Sequence, residues 1–318
     1  MENRTPETFT YLSADGHNTV QAYLWTPAEK TPRGIIQLSH GMQEYVCRYA
    51  SVADVFTAAG FVFCGNDHLG HGHTAANAEE LGFTAKRGGA DLLVEDVHTM
   101  TQKMKERYPG LPVILYGHSM GSFVARLYLT RYAGDLAGAL ISGTSGPGQP
   151  TGMALALAHL SAAFHGDHHR SKLLTSLSFG SYNKHFKEEN NPLSWLTRDN
   201  EVRAHYADDP LCSFMFTTGG YDTLFSLLSA VSRKEWAEKV PRSLPILLLS
   251  GDEDPVGQYG KGVRKVYENL IKTGHDRVTL KLYAGGRHEM HNEINREEVF
   301  ADMLAFFNTV CGVNEENA

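Results

Sequence analysis

The sequence has few cysteines, and they form no pattern that would bind a metal ion or cross-link a small fold. Cys47, Cys64, Cys212 and Cys311 lie far apart, and no CxxC pair occurs. The first residues, "MENRTPETFTY", also lack the basic and then apolar pattern of a secretory signal peptide. These features are typical of a reducing compartment, so we expect a cytoplasmic protein.

Long apolar runs and an excess of positive charge are missing as well. The longest weakly polar run, Gly152 to Phe164, contains His159 and is shorter than the roughly 20 apolar residues that cross a bilayer. The chain has 29 lysines and arginines against 36 aspartates and glutamates, and no basic block. We therefore expect no transmembrane segment and no nucleic-acid partner. Peripheral contact with a membrane and the oligomeric state stay open.

Six short apolar runs predict the strands of a mostly parallel sheet. They lack period-two alternation, as strands buried on both faces do. Helical patterns lie between them, such as the apolar stripe of Leu93, Val97, Met100 and Met104. This alternation predicts a doubly wound α/β fold with helices on both faces. The runs are Gly34 to His40, Phe61 to Asp67, Pro112 to His118, Ala137 to Gly143, Pro245 to Gly251 and Val278 to Ala284.

Two stretches depart from this alternation. The segment "FTYLSADGHNTVQAYLWTP", Phe9 to Pro27, predicts an antiparallel hairpin at the sheet edge. Between about Ser145 and Arg242 there are helical patterns but no convincing strand, and a structureless loop of that length is improbable. We therefore predict an α/β domain made of residues 1–145 and 242–318, with a mainly helical cap, residues 146–241, inserted.

The pentapeptide "GHSMG", Gly117 to Gly121, places Ser119 between a predicted strand and a predicted helix. This is the context of a nucleophile elbow, in which glycines allow a sharp turn and the helix N-terminus offers free N–H groups to an oxyanion. An inert turn is the alternative. The context favours Ser119 as a catalytic nucleophile.

A serine nucleophile needs a histidine that takes its proton and an acid that orients the histidine. Asp252, Glu253 and Asp254 follow one late strand, and His288 and His291 follow the next, which is the order expected of an α/β-hydrolase. We choose Asp254 because Asp252 is nearer the turn and suited to bonding its backbone N–H groups. We choose His288, which follows the flexible "GGR", and interpret His291 as a pocket residue.

An oxyanion hole needs a second N–H group beside that of Met120. The segment "LSHGMQEY" follows the first central parallel strand, where a loop can aim a backbone N–H at the oxyanion. Met42 is the candidate, with Gly41 allowing the bend. A plain strand-to-helix turn is the alternative.

With these pieces in place, the chain resembles the monoacylglycerol lipase and lysophospholipase-like branch of the serine α/β-hydrolases, also grouped as the serine aminopeptidase S33 or "hydrolase 4" family. The resemblance implies an α/β-hydrolase fold, a Ser119, Asp254 and His288 triad, and Met42 and Met120 as oxyanion donors. It rests on Ser39 to Tyr49, Asp67 to Gly72, Tyr108 to Gly121, Gly251 to Gly257 and Gly285 to Glu293.

The resemblance also implies a site for the alcohol part of the substrate. In monoacylglycerol lipases, the positions matching Glu44, Arg48 and His291 are associated with the polar pocket that receives the glycerol group. Glu44 and Arg48 are also four residues apart, so a surface helix ion pair is the alternative.

These observations predict a cofactor-independent hydrolase of small-molecule acyl esters, with monoacylglycerols and lysophospholipids as the expected substrates. An aminopeptidase, a thioesterase, an amidase or a low-turnover ligand-binding protein would carry the same triad. For an aminopeptidase, acidic cap residues would hold the substrate's amino group. No metal is expected, because neither "HGDHHR" nor "DHLGHGH" has a second ligand cluster at a suitable spacing. The acidic cap residues are Glu188, Glu189, Asp208 and Asp209.

Two apolar cap segments, Met153 to Phe164 and Tyr221 to Val231, are candidates for the lining of an acyl tunnel. Ordinary helix packing is the alternative.

Overall fold

One sheet organises the protein. The computed structural model describes residues 5–28 and 31–312, so residues 1–4 of the N-terminal segment discussed above lie outside it. The strands are β1 (Glu7–Leu12), β2 (Thr19–Trp25), β3 (Ile35–Ser39), β4 (Val62–Asn66), β5 (Val113–His118), β6 (Gly138–Ser142), β7 (Ile246–Gly251) and β8 (Val278–Tyr283).

The strand order is β1-β2-β4-β3-β5-β6-β7-β8. β1 pairs with β2 and β2 with β4 in antiparallel register, and all later pairs are parallel. The six apolar runs thus coincide with β3 to β8, and the predicted hairpin is β1 and β2. Because β3 to β8 run in one direction, the loops that follow them meet at one edge of the sheet.

Helices cover both faces of the sheet. The helices are α1 (Ala50–Ala58), α2 (Gly89–Arg107), α3 (Met120–Tyr132), α4 (Thr151–His165), α5 (Lys172–Phe179), α6 (Asn200–Asp208), α7 (Thr218–Ser232), α8 (Glu235–Glu238), α9 (Lys261–Lys272) and α10 (Arg296–Val310). Apolar residues of α1 and α10 pack on one face, and those of α2, α3 and α9 on the other. Strand residues alternate between the two cores, since Ile114 and Tyr116 face α1 and α10 while Leu115 faces α3.

The stretch between β6 and β7 contains α4 to α8 and short 3-10 turns but no strand in its described residues. α7 contacts α2, α3 and α4, and α8 contacts α3. Part of the stretch therefore shares the core of the α/β domain, while the division at residues 145 and 242 stays a prediction. Among residues 5–28 and 31–312, every helix is too short or too polar to span a bilayer.

A chain of buried polar side chains joins β3, α2 and α3 inside the core. The Thr101 hydroxyl donates to Gln37 Oε1 at 2.8 Å and accepts from the Tyr128 hydroxyl at 3.1 Å. The Gln37 amide donates to the Val97 carbonyl at 2.8 Å. Each group has a partner, so burying this chain does not leave an unpaired dipole in the core.

Thr101→Val should destabilise the fold without changing its shape. The valine keeps the volume but leaves Gln37 Oε1 and the Tyr128 hydroxyl buried without partners, which costs about 2 kcal/mol of unfolding free energy. Urea denaturation measures the loss. Thr309→Val is the matched control, because the exposed Thr309 hydroxyl bonds only to its own helix. An equal effect of the two substitutions would contradict the role of the buried chain.

Candidate active site

Ser119 lies in a sharp turn between β5 and α3. Its φ of 51° and ψ of −120° are unusual for a residue with a side chain. The flanking glycines permit this turn because they let backbone segments approach closely. A Cβ on Gly121 would lie 1.9 Å from the Ser39 carbonyl oxygen, and one on Gly117 would lie 2.5 Å from the Gly121 carbonyl oxygen. The start of α3 therefore packs directly on the end of β3, with the Ser119 side chain presented at the strand edge.

The structure brings Ser119, His288 and Asp254 together from three loops. Ser119 Oγ lies 2.9 Å from His288 Nε2, and His288 Nδ1 lies 3.0 Å from Asp254 Oδ2. Asp254 follows β7 and His288 follows β8, so the parallel strands bring all three to one edge. The geometry suits transfer of a proton from the Ser119 hydroxyl to a histidine held by a carboxylate.

The neighbouring candidates have other contacts. Asp254 is fully buried and accepts hydrogen bonds from the Ser250 hydroxyl and the Val256 N–H. Asp252 is exposed and accepts the Gly285 N–H at 2.7 Å, which is the turn-bonding role considered from the sequence. His291 stacks on Tyr49 at 4.3 Å between ring centroids, and its ring lies 5.0 Å from that of His118.

Asp254 shifts the protonation of His288. Burial lowers the pKa of His288, but the Asp254 charge and hydrogen bond, together with smaller contributions from the Glu289 and Glu44 charges, raise it by more, so this pKa lies above its ordinary value of 6.5. The neutral ring is the form that accepts a proton. The base is therefore lost as the pH falls through the raised pKa, at a higher pH than for an unperturbed histidine.

Two backbone N–H groups beside Ser119 are available to an acceptor. Met42 and Met120 both line the cavity above the serine, and within residues 5–28 and 31–312 neither N–H group has a partner. The His40 ring donates from Nδ1 to the Gly41 carbonyl at 2.8 Å and accepts the His68 N–H through Nε2 at 2.9 Å. These bonds fix the peptide that carries the Met42 N–H. The oxyanion role of the two groups stays a prediction.

Glu44 and Arg48 form a buried ion cluster with a third residue, Glu289. Arg48 Nη1 lies 2.9 Å from Glu44 Oε2 and 2.8 Å from Glu289 Oε1, and Arg48 Nη2 lies 3.0 Å from Glu289 Oε2. Glu44 also accepts the Gly41 N–H and the Tyr49 hydroxyl, so it binds the loop that carries Met42. The pair is therefore not a surface helix pair.

The two carboxylates of this cluster differ in proton affinity. Burial raises the pKa of Glu44 to about 7, although the Arg48 charge opposes this shift; the Glu289 charge adds a smaller contribution in the raising direction. Burial also opposes ionisation of Glu289, but the charge and two hydrogen bonds of Arg48 lower its pKa to about 2. A proton taken up by the cluster therefore binds to Glu44.

A cavity of about 400 Å³ opens above Ser119. Glu44 and Glu289 line it, whereas Arg48 and His291 lie behind its wall. Both apolar segments proposed from the sequence contribute to the lining, so their side chains are not confined to helix packing. The apolar lining from the cap is Pro150, Met153, Ala154, Leu157, Leu177, Phe179, Trp195, Leu196, Leu224, Phe225 and Leu228.

The sequence missed two residues of the site. Glu289 could have been considered from the sequence, because it directly follows His288, the histidine chosen for the triad. Tyr206, on α6, lines the cavity with the Arg48 guanidinium carbon 4.8 Å from its ring centroid. Nothing in its sequence context indicated this position.

Glu44, Glu289 and His291 place possible ligand atoms within 4.8 Å of one another. The positive charge of Arg48 already lies against both carboxylates. These residues therefore do not fit a resident metal ion.

A segment of the cap is bonded to the loop that carries His288. The Glu289 N–H donates to the Leu196 carbonyl at 2.8 Å, and Arg198 Nε lies 2.8 Å from Glu293 Oε2. The Trp195 ring lies 5.1 Å from the His288 ring between centroids. This part of the cap therefore covers and supports the histidine.

Comparisons with known proteins agree with this description. The monoacylglycerol lipase of Mycolicibacterium smegmatis is 29% identical over 287 residues, which are 89% of this chain and 90% of the relative. The monoglyceride lipase of Homo sapiens is 29% identical over 303 residues, 92% of this chain and 88% of the relative. A thermostable carboxyl esterase from Bacillus coagulans, solved with glycerol, has a TM-score of 0.90 at 34% identity, covering 97% of this chain and 99% of the esterase.

The eight-stranded sheet with its antiparallel start, together with these structural neighbours, confirms the predicted α/β-hydrolase fold. The sequence pattern of the Hydrolase_4 family, described as serine aminopeptidase, S33, matches residues 30–295, and the chain belongs to that family.

The pH dependence of Ser119 reactivity should follow His288 and Asp254. Labelling by a fluorophosphonate probe should fall as the pH drops through a midpoint above 6.5. Asp254→Asn removes the charge that raises the histidine pKa, so the midpoint should move to lower pH and the maximal rate should fall about a hundredfold or more.

Asp252→Asn is the matched control, because the exposed Asp252 bonds only to the loop N–H of Gly285. It should leave the midpoint in place. A midpoint that stays unchanged in Asp254→Asn would assign the titration to another group, such as Glu44.

Proposed function

We propose that this protein is a serine hydrolase that cleaves carboxylic esters through an acyl-enzyme. The observation that carries the proposal is the Ser119, His288 and Asp254 chain of hydrogen bonds opening into an apolar cavity. Family membership and the lipase and esterase relatives support the same activity.

In this mechanism His288 Nε2 takes the Ser119 proton while Oγ attacks the ester carbonyl. The N–H groups of Met42 and Met120 stabilise the oxyanion. His288 then gives the proton to the departing alcohol, later takes a proton from the water that attacks the acyl-enzyme, and returns that proton to Ser119 Oγ as the carboxylic acid leaves. Asp254 stays ionised and stabilises the charged imidazole in both halves. No step requires a cofactor or a metal ion.

We propose monoacylglycerols, lysophospholipids or similar medium-to-long acyl esters as the substrates. The cavity volume of about 400 Å³ lies within the range of small-molecule sites, and apolar side chains from α4, α5 and α7 form much of its lining. An acyl chain is the part of such esters that gains from leaving water. The polar end, beside Ser119, would receive the alcohol.

The acidic cap residues considered from the sequence give no support to peptide hydrolysis. An aminopeptidase would hold a substrate ammonium against an acidic group in its site. None of the four acidic cap residues considered for this task lines the cavity, and Glu189 is paired with Arg203 and Arg287. The four residues are Glu188, Glu189, Asp208 and Asp209.

We also propose that the site belongs to an α/β catalytic domain, residues 1–145 and 242–318, capped by residues 146–241, and that the protein works in the cytoplasm. The unpaired state of all four cysteines supports the location, because disulfides are rare in reducing compartments.

We propose that the cap face formed by α4 and α5 contacts the lipid aggregate that holds the substrate. Five of the eight large apolar side chains exposed in the described part of the chain lie on these helices, and Phe164 is 76% exposed. Two of the five, Met153 and Leu177, also line the cavity, so the face continues into it. The five are Met153, Leu160, Phe164, Leu173 and Leu177.

Ser119→Ala should abolish hydrolysis of p-nitrophenyl esters and monoacylglycerols while leaving the melting temperature close to that of the wild type. The substitution removes only the attacking oxygen. Activity that persists in the variant would reject Ser119 as the nucleophile.

The same wild-type protein should hydrolyse long-chain monoacylglycerols faster than aminoacyl p-nitroanilides or acyl thioesters of matched chain length. Comparison of kcat/KM across this panel tests the ester preference. A higher value for the anilide would instead favour an aminopeptidase.

The double substitution Leu160→Ser and Phe164→Ser should lower hydrolysis of a long-chain monoacylglycerol in micelles several-fold. It should leave hydrolysis of a soluble short-chain ester unchanged, because the catalytic groups stay in place. Leu12→Ser with Ile271→Ser removes exposed apolar side chains elsewhere and serves as the control. Equal losses for the micellar substrate in both double variants would contradict a docking face on α4 and α5.

A further inference from the structure

The charge of the cavity wall comes from two carboxylates. Among the described residues that line the cavity there is no lysine or arginine, and Glu44 and Glu289 are its acidic members. Their counter-charge, Arg48, binds both carboxylates but lies behind the wall. Two negative charges against one positive charge leave a net negative charge on this wall when Glu44 is ionised.

The other titratable groups of the lining do not offset this charge. Burial holds the pKa of His118 far below its usual range, so its ring is neutral. Burial likewise raises the pKa of Tyr182 and Tyr206, so both phenols are neutral. His288 must be neutral to act as the base. The net charge of the lining is therefore set by the two glutamates and Arg48, and the carboxylate of Asp254, hydrogen-bonded to His288 behind the lining, adds negative rather than positive charge.

The two carboxylates lie next to the reacting serine. A Cβ on Gly41 would be 2.6 Å from Glu44 Oε1 and 2.9 Å from Ser119 Cβ, so Glu44 and Ser119 flank the same point. Glu289 directly follows His288 along the chain. The rings of Trp195 and Tyr206 line the cavity as well, and aromatic faces attract cations.

We propose that Glu44 and Glu289 form an alcohol subsite that accepts uncharged and cationic alcohols and rejects anionic ones. The proposal rests on the ester hydrolase function above and selects between its substrates. A monoacylglycerol carries an uncharged alcohol, whereas a lysophospholipid carries a phosphodiester anion close to its glycerol ester. The subsite therefore favours monoacylglycerols. The residues that set this choice are Glu44 and Glu289, with Arg48 as their support.

Three esters with one acyl chain test the charge preference. Esters of ethylene glycol, choline and 2-hydroxyethanesulfonate are all 2-substituted ethyl esters, and their headgroups carry fixed charges of zero, plus one and minus one. At pH 8 the wild type should hydrolyse the glycol and choline esters with kcat/KM at least about tenfold above that of the sulfonate ester. Equal or faster hydrolysis of the sulfonate ester would overturn the proposal.

Glu289→Gln keeps the size of the side chain and one of its two acceptors for Arg48 but removes its negative charge. It should raise kcat/KM for the sulfonate ester relative to the choline ester by about tenfold. Glu106→Gln makes the same charge change near the end of α2, before β5 starts and thus at the opposite edge of the sheet, and should leave the ratio unchanged. A folded Glu289→Gln variant with the wild-type ratio would overturn the proposal.

A second measurement needs no variant. Because the pKa of Glu44 is raised to about 7, protonation at pH 6 should weaken the wall charge and raise the sulfonate-to-choline ratio above its value at pH 8. Arg48, Glu289, Tyr49 and the neutral His291 and His118 surround Glu44, and none of these five changes charge in this interval. Protonation of His288 lowers kcat/KM for both esters by the same factor, so it cancels in the sulfonate-to-choline ratio. A constant ratio would contradict the subsite.

The three esters also distinguish a failure of the ester hydrolase function from a failure of the charge-selective subsite. If none of the three esters is turned over above the Ser119→Ala background, the ester hydrolase function is wrong. If all are turned over without preference, only the charge-selective subsite is wrong.

Discussion

The contact between the first turn of α3 and the end of β3 constrains the whole site. Backbone meets backbone there, and the positions of Gly117 and Gly121 leave no space for a Cβ. The chain turns between them within one residue, which forces Ser119 to a φ of 51°. The same contact sets the serine beside the loop after β3. The position of α3 therefore sets the distance of Ser119 from both the loop that carries Met42 and His288.

The cavity divides into two chemical regions around that serine. On one side, helices α4, α5 and α7 present apolar side chains; beside Ser119, the ion cluster presents carboxylates. An ester bridges the two regions naturally, because its acyl part is apolar and its alcohol part is polar. Glu44 also holds the loop after β3, because its carboxylate, which faces the cavity, accepts the Gly41 N–H. One side chain therefore both faces the cavity and holds the loop that carries Met42.

The sequence predicted the features that depend on local patterns and chain order. The strands, Ser119 and the turns carrying Asp254 and His288 follow from apolar runs, glycine placement and the shared edge of parallel strands. The ion cluster depends instead on how two distant segments meet. Arg48 and Glu289 are 241 positions apart, and no periodicity relates them. For that reason the sequence left Glu44 and Arg48 open between a pocket and a surface pair, placed His291 in the pocket rather than behind its wall, and gave no indication of Tyr206.

The bonds between the cap segment at Leu196 and Arg198 and the loop at Glu289 and Glu293 bear on how substrate enters. They attach the loop that carries His288 to the cap as well as to the sheet. A cap that lifted away as one rigid body would carry the histidine off its serine. An opening that keeps the hydrogen bond between His288 and Ser119 must therefore leave the segment from Trp195 to Arg198 in place.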